Sequence, residues 1–220
     1  NSEFAREISM DSLKSGATIL GIGDAGGFRQ FSNSVRMIRR PEDLKGLKMR
    51  SNGMDTINKT LEALGAEVMT VPYNDLYMAL KAGTIDGQEN PWVNSSGMRF
   101  YEVQKYFTEV NYQFHPEPFY VNTRWYESLP REYQEILEEC TQEMMKENNR
   151  LIDENEVQAM ENIRANAEIY TLSSEERQAF VEATQVVYEE YMKNGLLTRD
   201  ELARMKRIIR GEEDQEYPYR

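Results

Sequence analysis

Residues 35–50, from Val35 to Arg50, hold six cations (Arg36, Arg39, Arg40, Lys45, Lys48, Arg50) against two anions (Glu42, Asp43). That is a local +4 in a chain whose formal net charge is -12. Solvation at the surface accounts for most of these charges. Arg50 differs, because the alternation Leu47-Lys48-Met49-Arg50 reads as a short strand whose end can be aimed into a cleft. A guanidinium fixed there presents a planar fork that captures a carboxylate through two parallel hydrogen bonds. A structural ion pair is the competing reading of the same residue.

Other chemistries are poorly supplied. Gly21-Ile22-Gly23-Asp24-Ala25-Gly26 fits G-x-G-x-x-G after an apolar run, but Gly27 to Asn33 shows no helical apolar spacing before Pro41. A dinucleotide site needs that loop to open into a helix, so the segment reads as a glycine-rich bend. There is no G-x-S-x-G elbow, no P-loop and no H-E-x-x-H. The single cysteine, Cys140, falls on an apolar helical stripe, and the single histidine, His115, sits in a Pro-flanked loop. Neither a disulfide nor a transition-metal site is expected from such a set, and no cofactor is expected. The many carboxylates are scattered over helix faces without a pair suited to acid–base work. Asn58-Lys59-Thr60 and Asn94-Ser95-Ser96 are formal glycosylation sequons, meaningful only in a eukaryotic secretory product. An acidic chain lacks the basic face that nucleic acid or an anionic membrane requires, and no stretch approaches the ~20 apolar residues of a membrane span. Asn1 to Arg6 show neither the basic nor the apolar region of a signal peptide.

These residues must be positioned by an α/β scaffold. Residues 3–15 read as a short helix closed by Gly16, followed by an apolar strand from Ala17 to Ile22. Met54, Ile57, Leu61 and Leu64 share one helical face, with Gly65 at its end. A strand from Ala66 to Val71 stops at Pro72, and a helix capped by Asn74 carries Leu76, Tyr77 and Leu80 to Gly83. Strands are expected at Thr108–Gln113 and Phe119–Asn122, separated by a Pro116/Pro118 loop. Residues 131–166 read as one long helix with a stripe of Tyr133, Leu137, Cys140, Met144 and Leu151. A strand from Ala167 to Leu172 follows. The Ser173/Glu176 capping box then opens a helix to Asn194. A last helix is expected at 199–210, before a loosely held acidic tail from Gly211 to Arg220.

Asp86-Gly87-Gln88-Glu89-Asn90-Pro91, preceded by Tyr77-Met78-Ala79-Leu80-Lys81-Ala82-Gly83-Thr84-Ile85, resembles the signature of the TRAP-transporter solute receptors of the DctP family. Pro41 to Arg50, Leu64-Gly65-Ala66, Val71-Pro72-Tyr73, Phe100 to Tyr106 and Ser128-Leu129-Pro130 extend the likeness on both sides. The resemblance implies a two-lobed, type II-like periplasmic binding protein with a long inter-lobe helix. It also implies that the family's N-terminal strand–helix–strand portion is missing from lobe one. It divides the chain into residues 1–27 with 116–155, and residues 28–115 with 156–220. It implies a receptor rather than an enzyme, one that captures a C4-dicarboxylate, keto acid or sugar acid and delivers it to the transporter's membrane subunits. An interaction or sensory ligand-binding module is the alternative. Carried over by position, Arg50 matches the family arginine that pairs with the ligand carboxylate, Arg29 a second ligand-facing arginine, Asn90 a hydrogen-bonding amide and Tyr73 a lining aromatic. Glu89, Trp92 and Phe119 are expected to complete the lining, although packing is an equally good reading of an aromatic after Pro91. A bare edge at residues 17–22 is expected to invite self-association.

Overall fold

Two strands of 17 residues and four short ones, alternating with helices, build one six-stranded mixed sheet. The structure, a computed structural model, describes residues 3–211. Helix α1 (Glu3–Lys14) leads into β1 (Ala17–Asn33), followed by β2 (Lys48–Ser51), α2 (Asp55–Ala63), β3 (Glu67–Thr70) and α3 (Tyr73–Ala82). Then come β4 (Gly87–Pro91), α4 (Trp92–Gly97), β5 (Tyr106–Asn122), α5 (Thr123–Ser128) and α6 (Arg131–Arg164). The chain continues through β6 (Glu168–Thr171), α7 (Ser174–Ala183), α8 (Gln185–Lys193) and α9 (Arg199–Ile209). Sheet order is β3-β2-β4-β1-β5-β6. Strand β2 runs parallel to β3 and β4, β1 runs antiparallel to β4, and β5 runs parallel to β6.

Two units emerge from the internal packing: residues 1–25, 116–151 and 194–220 form the first, and 26–115 with 152–193 the second. Strands β1 and β5 and helix α6 run from one unit into the other. Helix α9 groups with the first unit, whereas the sequence reading puts it with the second. The reason is local: Arg204 donates to both carboxylate oxygens of Glu7 on α1, at 2.9 and 2.8 Å. The second unit holds the main core, where Phe31, Met49 and Val110 from the strands and Leu47 just before β2 meet Ile57 and Leu61 from α2.

Several local expectations match the structure. Gly83 closes α3 in the left-handed conformation, and Gly65 has a φ of 86° just past α2. The Ser173/Glu176 capping box is formed. Other elements differ, each for a physical reason. The glycine-rich segment is no bend but part of β1, and its glycines mark a close approach between strand and helix. A Cβ on Gly23 would sit 2.5 Å from Met145 Sδ, and one on Gly21 would sit 3.0 Å from Thr141 Cγ2. Strand β5 continues through Pro116 and Pro118, where its residues are exposed and a missing N–H costs little. The long C-terminal helix is split in two at Thr184, whose hydroxyl bonds back to Phe180 O at 2.8 Å, a contact that bends helices. Helix α3 starts one residue before Asn74, with Pro72 as its cap. The stripe on α6 is real in spacing, but Tyr133, Cys140, Met144 and Leu151 are exposed, and the helix buries Thr141, Ala159 and Ile163 instead. The acidic tail, from residue 212 on, lies outside the described residues.

Gly87 illustrates how the Asp86-Gly87 pair fixes the sheet. Asp86 accepts the Lys48 backbone N–H on its carboxylate at 2.8 Å, and its own N–H donates to Lys48 O at 2.8 Å. A Cβ on Gly87 would meet Ser32 O at 2.3 Å and Met49 Sδ at 2.7 Å. The first of these is backbone and cannot step aside. Gly87→Ala should therefore cost about 1–3 kcal/mol or more, read as a lower denaturation midpoint. An unchanged midpoint would show that β1 and β4 are free to separate.

Candidate functional site

Three neighbouring strands of the second unit converge on one cluster. Arg50 stands near the carboxyl end of β2, Glu89 and Asn90 near the carboxyl end of β4, and Arg29 opposite Pro91 on the antiparallel β1. Ligands of open α/β sheets gather outside the carboxyl ends of parallel strands, and this is that edge. Tyr73, at the first turn of α3, follows the neighbouring β3.

Arg29 and Glu89 form a buried ion pair, with residual exposures of 2% and 0%. Arg29 Nε and Nη2 both reach the Glu89 carboxylate, the second at 2.9 Å, and Nη2 also donates to Glu89 O at 2.9 Å and Asn90 Oδ1 at 3.1 Å. Nη1 lies 3.1 Å from His115 Nδ1. Tyr112 donates its phenol hydrogen to the same carboxylate. Burial alone would lower the Arg29 pKa, but the hydrogen bond and charge of Glu89 outweigh it and hold it raised. Burial, then the Glu89 charge, raises Tyr112 well above its usual value.

Arg50 is in a different situation. Its exposure is 3%, its Nε donates to Val71 O at 2.8 Å, and its guanidinium carbon lies 6.0 Å from the centre of the Tyr73 ring. Its two terminal nitrogens have no hydrogen-bond partner and no carboxylate within 4.0 Å among the described residues. Desolvation by burial lowers its pKa first; Glu89 raises it, and the nearby Arg29 lowers it further. Glu89 is already committed to Arg29. Arg50 is thus a desolvated cation whose charge no adjacent side chain cancels.

Asn90, 4% exposed, accepts from Arg29 on Oδ1 and donates from Nδ2 to Gln88 Oε1. Tyr73 is half-buried, and its hydroxyl contacts Asn94 O at 3.4 Å.

Of the seven residues singled out in the sequence, the structure brings Arg29, Arg50, Tyr73, Glu89 and Asn90 together. Two expectations about them change. Glu89 is fully buried with both oxygens engaged by Arg29 and Tyr112, so it neutralises rather than lines. Arg29 spends all three guanidinium nitrogens on protein groups. Trp92 is a core residue, 1% exposed, stacked on Phe107 at 6.2 Å and packed with Ala159 and Ile163. Trp92→Phe should lower the melting temperature yet leave acid affinity unchanged by calorimetry; a matched loss of affinity would return the ring to the site. Phe119 belongs to the first unit, on the exposed half of β5.

Sequence reasoning missed Tyr112. A residue with positive φ, Asn111 (49°), precedes it, and Gln30 accepts the backbone N–H groups of Val110 and Asn111 there, both at 2.9 Å. Such a local break in a strand re-aims the next side chain, here onto Glu89. No spacing rule exposes it. Among the described residues no group of three or more His, Cys, Asp or Glu could hold a metal ion, and no helix is long and apolar enough to cross a membrane.

Fold and cluster together place a buried arginine with two unpartnered nitrogens, among the described residues, at the carboxyl edge of an α/β sheet. A profile described as "Bacterial extracellular solute-binding protein, family 7" (DctP) matches residues 1–194, and the chain belongs to that family, one of transporter receptors rather than enzymes. Among curated relatives, the C4-dicarboxylate-binding periplasmic protein DctP of Vibrio cholerae is 31% identical over 172 residues, 76% of this chain and 51% of that protein. The 2,3-diketo-L-gulonate-binding periplasmic protein YiaO of Escherichia coli is 28% identical over 71% of this chain and 48% of its own. The chain therefore spans about half the length of the curated relatives it matches. Among solved structures, a TRAP periplasmic solute-binding protein from Ralstonia eutropha with bound (S)-2-acetolactate superposes with a TM-score of 0.82 at 33% identity, covering 87% of this chain and 63% of that one. One from Haemophilus influenzae with bound L-gulonate gives 0.86 at 25% identity, covering 94% and 67%.

Proposed function

We propose that this chain is the solute-capturing part of a TRAP-transporter receptor working in the bacterial periplasm, taking up a carboxylate-bearing small molecule and delivering it to the transporter's membrane subunits. The observation that carries the reading is Arg50: a buried guanidinium at the carboxyl edge of β2 whose terminal nitrogens have no hydrogen-bond partner among the described residues. A carboxylate docking there accepts two parallel hydrogen bonds and replaces the hydration that burial removed. Asn90 adds an amide N–H, and Tyr73 walls the guanidinium on one side. Arg29 and Glu89 act as a neutral wedge that holds Asn90 in place.

Relatives named for C4-dicarboxylates and 2,3-diketo-L-gulonate, and structures holding acetolactate or gulonate, support an organic acid as the cargo class. C4-dicarboxylates, keto acids and sugar acids all carry the group that Arg50 would read. The test is calorimetry with succinate, (S)-2-acetolactate, D-glucuronate and L-gulonate, alongside the neutral amide of each acid. Saturable binding of at least one acid, absent for its amide, is the expected result. Binding of none, or equal binding of acid and amide, would overturn the reading.

A further inference from the structure

Behind Asn90 runs a chain of buried side-chain hydrogen bonds that starts from its bond to Gln88. Asn90 Nδ2 donates to Gln88 Oε1, Gln88 Nε2 donates to Ser32 Oγ at 2.7 Å, and Ser32 Oγ donates to Gln104 Oε1 at 3.3 Å. Gln104 Nε2 then donates to two backbone carbonyls, Val103 O at 3.0 Å and Asp86 O at 3.3 Å. Exposures along the chain are 4%, 0%, 0% and 2%, so no link exchanges freely with water.

The direction of this chain is fixed at both ends. Carbonyl oxygens only accept, so the nitrogen of Gln104 must face them and its oxygen must face Ser32. The Ser32 hydrogen is then committed to Gln104, its oxygen needs a donor, and Gln88 must turn its nitrogen toward Ser32 and its oxygen toward Asn90. Asn90 is left with its nitrogen toward Gln88 and its oxygen toward Arg29, a group that only donates and so demands that same orientation. One hydrogen on Asn90 Nδ2 goes to Gln88, and the second has no partner among the described residues.

We infer that Gln104, acting through Ser32 and Gln88, is a positioning residue that holds the Asn90 amide with its free N–H presented to an anionic ligand. This deepens the receptor reading and rests on it. An amide locked as a donor favours a carboxylate, which only accepts, over the neutral carboxamide of the same shape. Gln104 touches no ligand; together with Arg29, which holds the other end of the amide, it fixes which end of Asn90 the ligand meets.

The test compares Gln104→Glu with Gln104→Met in the whole protein. Protonated glutamate keeps both functions, an O–H for the Val103 or Asp86 carbonyl and an oxygen for Ser32 to donate to, while ionised glutamate keeps only the acceptor and sets a buried charge against those carbonyls. Methionine fills the space without an acceptor and strands the Ser32 hydroxyl. A merely structural role ranks the two variants by stability, with glutamate the worse. A positioning role ranks them by the acceptor, with glutamate wild-type-like. The first readout needs no ligand: the side-chain amide resonances of Asn90 in selectively labelled protein. One sharp proton pair with cross-peaks to Gln88 is expected in wild type and Gln104→Glu, and broadened or doubled signals in Gln104→Met. The second readout is the ratio of succinate to succinamate affinity, or of D-glucuronate to D-glucuronamide, expected to fall about tenfold in Gln104→Met and to hold in Gln104→Glu. Ser32→Ala should behave as Gln104→Met. An unperturbed Asn90 amide in Gln104→Met overturns the inference whether or not any acid binds. Failure of wild type to bind these acids, with the amide signals behaving as expected, overturns only the receptor reading.

Discussion

Replacing Arg50 with lysine is expected to weaken acid binding by about 2 kcal/mol or more, roughly thirtyfold, because the ammonium keeps the charge but loses the two-pronged fork. The same position should show an opposite effect on stability. Arg50 is buried, partnered by one backbone carbonyl and one aromatic ring, and its pKa is lowered chiefly by that burial. A cation held in this way is a cost to the empty protein, and burial of a charge is offset only by a well-placed counter-charge. Arg50→Met should therefore abolish acid binding while leaving the melting temperature unchanged or higher. For wild type, saturating acid should raise the melting temperature, since a ligand that binds only the folded state stabilises it by mass action. Unchanged affinity in Arg50→Lys would make the residue structural. A melting temperature several degrees lower in Arg50→Met would say the same by another route.

How much of this was legible in the sequence follows from the range of each interaction. The helices carried by local periodicity and capping, such as α2 with Ile57 and Leu61 or α7 with its Ser173/Glu176 box, are specified within a few residues and were readable. So was the placement of Arg50 on a short strand, from the alternation in Leu47 to Arg50, though its role was not. The resemblance to a receptor family supplied what periodicity could not, namely that Arg29, Asn90 and Tyr73 belong with it. What stayed hidden depends on contacts distant in sequence. Glu89 pairs with a residue 60 positions away, and Tyr112 reaches it only because Gln30 props open a break in β5. Glycines 21 and 23 read as part of a bend until Met145 and Thr141, more than a hundred residues on, are packed against them. The α6 stripe failed for the complementary reason: spacing defines a helix face but not what covers it, and Tyr133 and Met144 stay exposed.

The Arg29–Glu89 pair is where the largest change in stability is expected. Glu89→Gln keeps the shape of the side chain but removes the charge that two Arg29 nitrogens and the Tyr112 hydroxyl share. Removing one partner of a buried ion pair strands the other, at a cost of about 3–5 kcal/mol, enough to unfold a marginal protein. Removing both, in Arg29→Met with Glu89→Met, takes away the desolvation penalty along with the attraction, and such replacements range from neutral to stabilising by about 1–4 kcal/mol. Urea denaturation of wild type, the single variant and the double variant should thus give a deep loss followed by recovery. Equal losses in the two variants would mean that shape and packing, not charge compensation, hold this part of the sheet. The pair also sets the charge that a ligand meets. With Glu89 neutral, Arg29 and Arg50 would face an incoming acid as two uncancelled cations. Under conditions where Glu89→Gln remains folded, its affinity for succinate should rise relative to wild type, and more steeply at low ionic strength. A fall would mean that Glu89 is needed less for its charge than to keep Asn90 and Arg29 in register, with the geometry of β4 rather than the balance of charge deciding capture.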